Sequence, residues 1–261
     1  MLLLHGFPET RRCWDAVVER MAPSFTLVRS DLPGYGDSPP SRAGHSKRTM
    51  ASSVLQLTRA LGHERFAVAG HDRGGLVGQR VALDHPEAVN HLAVLDIIPL
   101  VDMWESISAD SALPAYHLIF LAQESDLPER MINCAPEAFV DSFLDGWSVV
   151  QGAISDNARK AYHRAAARPG RARAICEDYR AGATVDLEDD RSDRAAGRRI
   201  AAPVLALWQE PDGAPAPFDV LSVWRLWARS VVGSGLNCGH YLPEERPAEV
   251  AAALASHFAT R

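Results

Sequence analysis

Residues 66–75 read FAVAGHDRGG, an apolar run followed by the pattern Gly-x-Asp-x-Gly with Asp72 at its centre. The apolar run predicts a buried strand, and the helical spacing of apolar residues over 75–84 predicts a helix directly after it. Strand, tight turn and helix in this order are typical of a nucleophile elbow, in which glycines flank a strained residue held above a sheet. A surface aspartate in a glycine-rich turn is the alternative, and the flanking strand and helix count against it. We therefore predict that Asp72 is a nucleophile.

The residue type at the centre of this turn predicts the kind of reaction. A carboxylate nucleophile displaces a leaving group from a saturated carbon and becomes an ester, whereas a serine at the same position would be acylated. Asp72 thus indicates chemistry that proceeds through an aspartyl ester.

Apolar runs elsewhere predict how the chain is organised. In the first third they alternate with amphipathic segments, which indicates a parallel α/β sheet with right-handed crossovers. The predicted strands cover residues 1–4, 25–29, 66–69, 92–95, 203–208 and 231–236, and the predicted helices cover 14–21, 49–61, 75–84 and 247–258.

Between residues 101 and 198 the strand signal disappears, and the sequence becomes polar, helical and interrupted by prolines. This change predicts an inserted helical cap over 100–198, with a core made of residues 1–99 and 199–261. Within the cap, Trp147 is a candidate for the lining of a pocket, whereas Trp104 is expected to pack.

Composition and charge exclude several classes of protein. The 261 residues are 47% hydrophobic and 23% charged, close to the average of globular proteins, which excludes a disordered chain or a coiled coil. Lys and Arg number 27 against 33 Asp and Glu, for a net charge of −6, so nucleic acid and anionic membranes are not predicted partners. No apolar run approaches the roughly 20 residues that span a bilayer, and the four cysteines form no Cys-x-x-Cys motif. We expect a cytoplasmic protein with reduced thiols and a small-molecule substrate.

Two further segments supply groups that a nucleophile at an elbow needs. HGFP at residues 5–8 follows the first strand, where the backbone N–H of Phe7, together with that of Arg73, would bind the oxyanion of a tetrahedral intermediate. CGHYLP at residues 238–243 lies between the last strand and the last helix, which makes His240 the candidate base. An ordinary turn and a satisfied loop histidine are the respective alternatives.

The acid that would orient His240 has two candidates. Asp96 ends the strand at 92–95, and Asp212 follows the strand at 203–208. An acid of this kind belongs at the end of a strand, and sequence spacing does not choose between the two.

Taken together, these segments resemble the α/β-hydrolases of the fluoroacetate (haloacetate) dehalogenase group over essentially the whole chain. The matching motifs are HGFP at 5–8, GHDRGG at 70–75, VLDI at 94–97, YH at 116–117, CEDYRA at 176–181 and GHYLPE at 239–244. The resemblance implies the α/β-hydrolase fold, with Asp72 as the nucleophile, His240 as the base that activates water and Asp96 as the acid beside it.

The resemblance also implies how a substrate is held. Arg73 is expected to bind the substrate carboxylate, and His117 and Tyr179 from the cap are expected to hold the departing halide. An arginine at a helix start can instead bridge to carboxylates of the cap, and this alternative stays open for Arg73. Members of the group need no cofactor or metal and are often homodimers, and we expect the same here.

Three departures from the pattern of the group bear on the substrate and the fold. Leu76 stands where the group has a second carboxylate-binding arginine, and Leu118 stands where it has a halide-binding tryptophan. Each change removes a donor that would contribute about 1.5–3 kcal/mol, so we expect a larger or less acidic substrate, or a better leaving group than fluoride. Only four residues precede His5, so the additional N-terminal strands of the group are expected to be missing.

These residues support two enzymatic hypotheses and one of another class. The first is hydrolytic dehalogenation of short 2-haloacids through an ester on Asp72. The alternative is epoxide hydrolysis, in which Asp72 opens the ring and Tyr116 and Tyr179 protonate the alkoxide. Arg73 counts against this alternative, because epoxide hydrolases that resemble this chain usually carry tryptophan there. A binding protein built on the same fold would not need the histidine and acid that this chain retains.

Overall fold

The structure, a computed structural model, describes residues 1–214 and 218–259 of the chain. Within them, six strands form one sheet: β1 (Leu2–Leu4), β2 (Val28–Ser30), β3 (Phe66–His71), β4 (Val89–Leu95), β5 (Val204–Gln209) and β6 (Val231–Leu236). The strands lie in the order β2-β1-β3-β4-β5-β6, and every neighbouring pair is parallel. The predicted parallel sheet is therefore confirmed.

Helices cover both faces of the sheet and fill the long connection between β4 and β5. In the described residues they are α1 (Asp15–Met21), α2 (Lys47–Ala60), α3 (Arg73–Asp84), α4 (Leu100–Glu105), α5 (Ala109–Ala112), α6 (Tyr116–Leu121), α7 (Leu127–Cys134), α8 (Pro136–Trp147), α9 (Asp156–Ala166), α10 (Arg171–Ala183), α11 (Val185–Ala195), α12 (Val220–Trp227), α13 (Leu242–Glu245) and α14 (Pro247–Ala259). Short 3₁₀ helices lie at Arg11–Trp14 and Pro211–Gly213.

Alternate residues of the central strands pack into two apolar layers on opposite faces of the sheet. Leu2 and Leu4 of β1 join the layer under α2, α3 and α12, whereas Leu3 joins the layer under α1 and α14. All three leucines are fully buried. Burial on both faces explains why these strands are uninterrupted apolar runs in the sequence.

The stretch between β4 and β5 contains eight helices, α4 to α11, and no strand among its described residues. We call these eight helices the cap. Its helices contact one another, as α11 does α4, and they contact the core through α10 against α2 and through α9 against the 3₁₀ helix at Arg11–Trp14. That residues 100–198 form a separate domain stays a prediction.

The carboxyl ends of three neighbouring strands meet at one edge of the sheet. Leu95, the last residue of β4, pairs with His71 of β3 on one side and Leu207 of β5 on the other. The backbone N–H of Asp72 donates to the carbonyl of Leu95 at 2.9 Å, and that of Asp96 donates to the carbonyl of Leu207 at 2.8 Å. The ladder thus carries both aspartates, each one residue beyond its strand, to the same edge.

Some elements begin at other residues than the sequence pattern predicts. Helix α2 begins at Lys47 because the side chain of Ser46 accepts the N–H of Thr49 and caps the helix. Strand β2 begins only at Val28, since Phe25 donates its N–H to Met21 and still belongs to the turn after α1. No helix in the described ranges is long and apolar enough to cross a membrane.

Candidate active site

The turn between β3 and α3 holds Asp72 in a strained conformation. Its φ of 46° and ψ of −118° lie in a region that side-chain-bearing residues rarely adopt. A Cβ at Gly70 would lie 2.2 Å from the carbonyl oxygen of Gly74, and a Cβ at Gly74 would lie 2.4 Å from that of Leu4. Only glycine fits at these two positions, which is the requirement of a nucleophile elbow.

The HGFP segment lies directly against this aspartate. The backbone N–H of Phe7 donates to Oδ1 of Asp72 at 2.8 Å. Gly6 approaches so closely that a Cβ there would lie 2.6 Å from Cβ of Asp72. One expected oxyanion donor therefore faces the Asp72 carboxylate, and the other, the backbone N–H of Arg73, belongs to the first residue of α3.

His240 and Asp96 lie together beside the elbow. Nδ1 of His240 is 2.6 Å from Oδ2 of Asp96. Gln209 at the end of β5 donates its backbone N–H to Oδ1 of Asp96 and its side-chain amide to Oδ2, both at 2.8 Å. Since the carboxylate holds the proton on Nδ1, Nε2 is left as the basic nitrogen, and it is buried without a hydrogen-bond partner among the described residues.

The other candidate acid lies elsewhere. Asp212 is exposed, and its backbone N–H donates to the side chain of Asn237 at 2.9 Å. Of the two acids left open by the sequence, the structure therefore brings only Asp96 to His240.

A cavity of about 480 Å³ opens above these residues, between the sheet edge and the cap. Asp72, Asp96 and His240 line its polar end, together with His117 and Trp147 from the cap. Most of the remaining wall is apolar and includes Ile97, Ile98, Met103, Ile107, Leu118, Trp208, Phe218 and Val220. A small molecule with an apolar part fits this lining.

His117 and Trp147 form the cap side of the polar end. Their ring centroids are 4.8 Å apart, and the ring of Trp147 lies 5.0 Å from that of His240. The carbonyl of Trp147 also accepts the backbone N–H of His240 at 3.0 Å. Burial lowers the pKa of His117 to about 4, so its imidazole is neutral near pH 7 and offers one N–H.

Tyr179 and Tyr116 occupy different places. Tyr179 is buried, with its ring 5.5 Å from that of Phe7 and 5.9 Å from that of His117. Tyr116 is 46% exposed, stacks on Phe143 at 6.0 Å and lines a separate groove on the outside of the cap. This placement contradicts the expectation that Tyr116 faces Asp72 beside Tyr179, because α6 turns the Tyr116 ring outward and His117 inward.

Arg73 is buried at the junction of core and cap. Its Nε and Nη2 donate to the carboxylate of Asp178 at 2.9 and 3.0 Å, and Nη2 also donates to the carbonyl of Asp178 at 2.9 Å. Its guanidinium lies 4.2 Å from the centre of the Tyr179 ring. Burial lowers the pKa of Arg73, but the contact with Asp178 outweighs it and raises the pKa. The cap carboxylate therefore holds this guanidinium, although Arg73 also borders the cavity.

Lys47 and Tyr35 complete this junction. The ammonium of Lys47 contacts Oδ1 of Asp178 and lies 3.5 Å from Asp186, and the hydroxyl of Tyr35 donates to Oδ2 of Asp178 at 2.8 Å. Burial would raise the pKa of Asp178, but Arg73 and Lys47 reverse this and hold it well below its usual range. The cluster is balanced, with two cations and two carboxylates.

Sequence reasoning assigned no role to Asp178, Lys47 or Gln209. Asp178 lies inside the CEDYRA motif next to Tyr179, and that position is the signal that could have found it. Lys47 and Gln209 carry no local signal, because their partners come from distant parts of the chain. In the part of the chain that the structure describes, no group of three or more His, Cys, Asp or Glu side chains could hold a metal ion.

The fold and this geometry can be compared with known proteins. A family model described as the alpha/beta hydrolase fold matches residues 1–123. A fluoroacetate dehalogenase of Burkholderia sp is 37% identical over 260 residues, 97% of this chain and 85% of that protein. A soluble epoxide hydrolase of Corynebacterium sp. (strain C12) is 32% identical over 251 residues, 95% of this chain and 85% of that protein.

Solved structures give the same result. A protein of Nostoc sp PCC 7120, provisionally described as an alpha/beta hydrolase, superposes with a TM-score of 0.94 at 41% identity, covering 100% of this chain and 90% of that one. The chain therefore belongs to the alpha/beta hydrolase superfamily. Its relatives include a dehalogenase and an epoxide hydrolase, so this protein is an enzyme of the superfamily.

Proposed function

We propose that this protein removes halide from short 2-haloacids by hydrolysis, through an ester formed on Asp72. The observation that carries the proposal is the arrangement of three groups at one sheet edge. Asp72 sits at the elbow with the N–H of Phe7 on its Oδ1, and the pair His240 and Asp96 lines the same cavity. The Burkholderia relative, a fluoroacetate dehalogenase, supports the same choice.

In the first step Asp72 acts as the nucleophile. Because Oδ1 is held by Phe7, Oδ2 is the oxygen that attacks the halogen-bearing carbon. The new C–O bond forms as the carbon–halogen bond breaks, and the halide leaves with the bonding electrons. The N–H of His117 and the hydroxyl of Tyr179 stabilise the departing anion.

In the second step His240 acts as the base. Nε2 of His240 takes a proton from water, whose oxygen attacks the carbonyl carbon of the Asp72 ester. The backbone N–H groups of Phe7 and Arg73 stabilise the oxyanion. As the ester C–O bond breaks, the His240 imidazolium, stabilised by Asp96, gives its proton to the departing alkoxide, which leaves as the 2-hydroxyacid. The carboxylic acid left on Asp72 then loses its proton to solvent, which restores the carboxylate.

The lining of the cavity favours substrates whose carbon–halogen bond is weaker than the carbon–fluorine bond of fluoroacetate. Leu118 adds an apolar wall beside His117, and Leu76 is buried and offers no charge for a substrate carboxylate. Arg73 would have to share its guanidinium between the substrate and Asp178. We therefore propose chloro- and bromoacids as better substrates than fluoroacids.

Epoxide hydrolysis is the second candidate, and the Corynebacterium relative favours it. The same Asp72 and His240 would open an epoxide and hydrolyse the ester. The outward position of Tyr116 leaves Tyr179 and the neutral His117 as the proton donors for the alkoxide. This candidate is weaker because Tyr116, the second expected proton donor, lines the outer groove of the cap and not the cavity.

Trapping of the ester tests the proposal. His240→Ala is incubated with bromoacetate and its mass is measured, with Asp72→Asn as the matched control. We expect a carboxymethyl adduct on Asp72 in the first variant, none in the second, and release of about one bromide per chain. An unmodified His240→Ala chain, together with wild-type protein that converts styrene oxide but not bromoacetate, would replace the proposal with the epoxide candidate.

A further inference from the structure

A glutamate and a histidine that the proposed reaction does not use lie buried behind the nucleophile. His71 is the residue before Asp72 at the end of β3, and Glu9 follows the HGFP segment. The side chains of both are fully buried, and Nδ1 of His71 lies 2.7 Å from Oε2 of Glu9. A carboxylate is costly to bury without a partner, so the protonation of this pair matters.

The partners of the imidazole determine where its protons lie. Nε2 of His71 is 2.8 Å from the backbone carbonyl oxygen of His240, and a carbonyl oxygen only accepts, so Nε2 carries a proton. A second proton lies between Nδ1 and the carboxylate of Glu9. Burial alone would lower the pKa of His71, but the charge and hydrogen bond of Glu9 reverse this and raise the pKa to about 9. Near pH 7 the pair is therefore an imidazolium beside a carboxylate.

The pair joins the loops on either side of the nucleophile. Oε2 of Glu9 also accepts the backbone N–H of Gly6 at 3.2 Å, and the next residue, Phe7, donates to Asp72. On the other side, the bond from His71 to the carbonyl of His240 holds the loop of the candidate base. One buried ion pair thus connects the HGFP loop, the turn at Asp72 and the loop that carries His240.

We propose that Glu9 and His71 are positioning residues of this active site. The ion pair keeps the HGFP loop and the His240 loop in register with Asp72, and the imidazolium places a positive charge next to the nucleophilic carboxylate. The catalytic consequence rests on the proposed function, whereas the existence of the ion pair does not.

Other titratable groups also face the pair. Those that act electrostatically on Glu9 or His71 are His5, Cys13, Asp72, Asp96, Tyr162, His240, Tyr241 and Glu244. Burial and the neighbouring Glu9 raise the pKa of Glu244, which favours its neutral form. Asp72 and Asp96 favour the charged form of His71, so the surroundings support the imidazolium.

An NMR titration of ¹⁵N-histidine-labelled protein tests the ion pair without any substrate. The His71 signals are identified by their loss in His71→Gln, and His71 is then titrated in wild type, Glu9→Gln and Glu9→Asp. In the wild type we expect the His71 ring to stay doubly protonated up to about pH 8. The midpoint of the His71 titration should be lower by at least about one pH unit in Glu9→Gln and closer to that of wild type in Glu9→Asp. A neutral His71 at pH 7 in the wild type, or an unchanged midpoint in Glu9→Gln, would overturn the inference.

The positioning role is tested by the pH dependence of bromide release from bromoacetate. In Glu9→Gln we expect kcat to fall about tenfold at pH 8 and to recover toward pH 6, where His71 regains its proton, with KM changed less than about twofold. A merely structural defect would lower kcat equally at both pH values and would overturn the role. His163→Gln is the matched control, because His163 forms a comparable bond of 2.8 Å with Asp141 in the cap. If wild type releases no bromide, the proposed function fails, and the NMR titration decides the ion pair by itself.

Discussion

The two sides of the candidate active site are held by different interactions. At the sheet edge, Asp72 and Asp96 are each fixed by a backbone hydrogen bond to the neighbouring strand, and Gln209 donates twice to Asp96. On the cap side, His117 and Trp147 lie among aromatic rings, with centroids 4.8 to 5.9 Å from one another and from Phe143.

This difference separates chemistry from selectivity. Hydrogen bonds are directional and set the positions of reacting atoms, whereas aromatic edge contacts tolerate changes of shape. A reaction that depends on atom positions therefore belongs to the sheet edge. On the proposed function, a substitution in the cap, for example at Leu118 in the cavity wall, should change the preferred substrate more than the reaction.

The cluster of Arg73, Lys47, Asp178 and Asp186 joins the two sides. It is buried, and its charges come from both the core and the cap. Substitutions at the sheet edge, at this junction and in the cap should therefore have different effects.

The largest effect is expected at the sheet edge, from Asp72→Asn. An amide is not a nucleophile toward carbon, so bromide release should fall at least about a thousandfold. The free energy of unfolding, measured by urea denaturation, should change by less than about 1 kcal/mol, because asparagine tolerates a positive φ. Retained bromide release would place the nucleophile outside the sheet edge.

At the junction, Asp178→Asn should lower the free energy of unfolding by about 3–5 kcal/mol, since it leaves Arg73 and Lys47 buried without their shared partner. Urea denaturation measures this loss. Asp189→Asn is the control, because Asp189 pairs with Arg48, whose side chain is half exposed, and this substitution should cost less than about 1 kcal/mol.

The pKa of Asp178 is below its usual range in the folded state. Its stabilisation is therefore complete above the unfolded pKa of about 4 and is lost as the pH falls through the lower folded pKa. A constant difference from wild type at all acidic pH values would contradict this.

On the cap side, His117→Phe should lower kcat/KM for bromoacetate about tenfold, because one donor to the halide is lost.

The pKa of His117 is about 4 in the folded protein and about 6.5 when unfolded. The unfolded state therefore binds the proton more readily, and His117 reduces stability as the pH falls from 6.5 to 4. The variant should lose that part of the acid sensitivity in urea titrations, and a wild-type profile there would mean that His117 is not buried as described.

The smallest effect is expected from Tyr116→Phe. Its ring faces the outside of the cap, so bromide release, styrene oxide hydrolysis and stability should all remain within about twofold or 0.5 kcal/mol of wild type. Tyr179→Phe is the comparison variant and should lower halide release about tenfold. Loss of epoxide opening in Tyr116→Phe would show that this ring reaches the cavity.

Local sequence patterns were sufficient to predict the sheet and the strained turn that holds Asp72. The strand at 66–71, the glycines that flank Asp72 and the helix after them interact within one short segment, so their spacing alone predicts the strained turn. The strands are also legible because both faces of a parallel sheet are buried and each strand is a continuous apolar run.

Partners that are distant in sequence were decided by the tertiary structure. His240 meets Asp96 across 144 residues, so sequence spacing could not choose between Asp96 and Asp212 as its partner. Arg73 meets Asp178 across 105 residues, so the sequence left the role of this arginine open. The outward turn of Tyr116 likewise depends on how α6 packs against Phe143. The physical reason is that a turn or a strand is selected by its own residues, whereas a buried charge is stabilised only by the partner that folding brings to it.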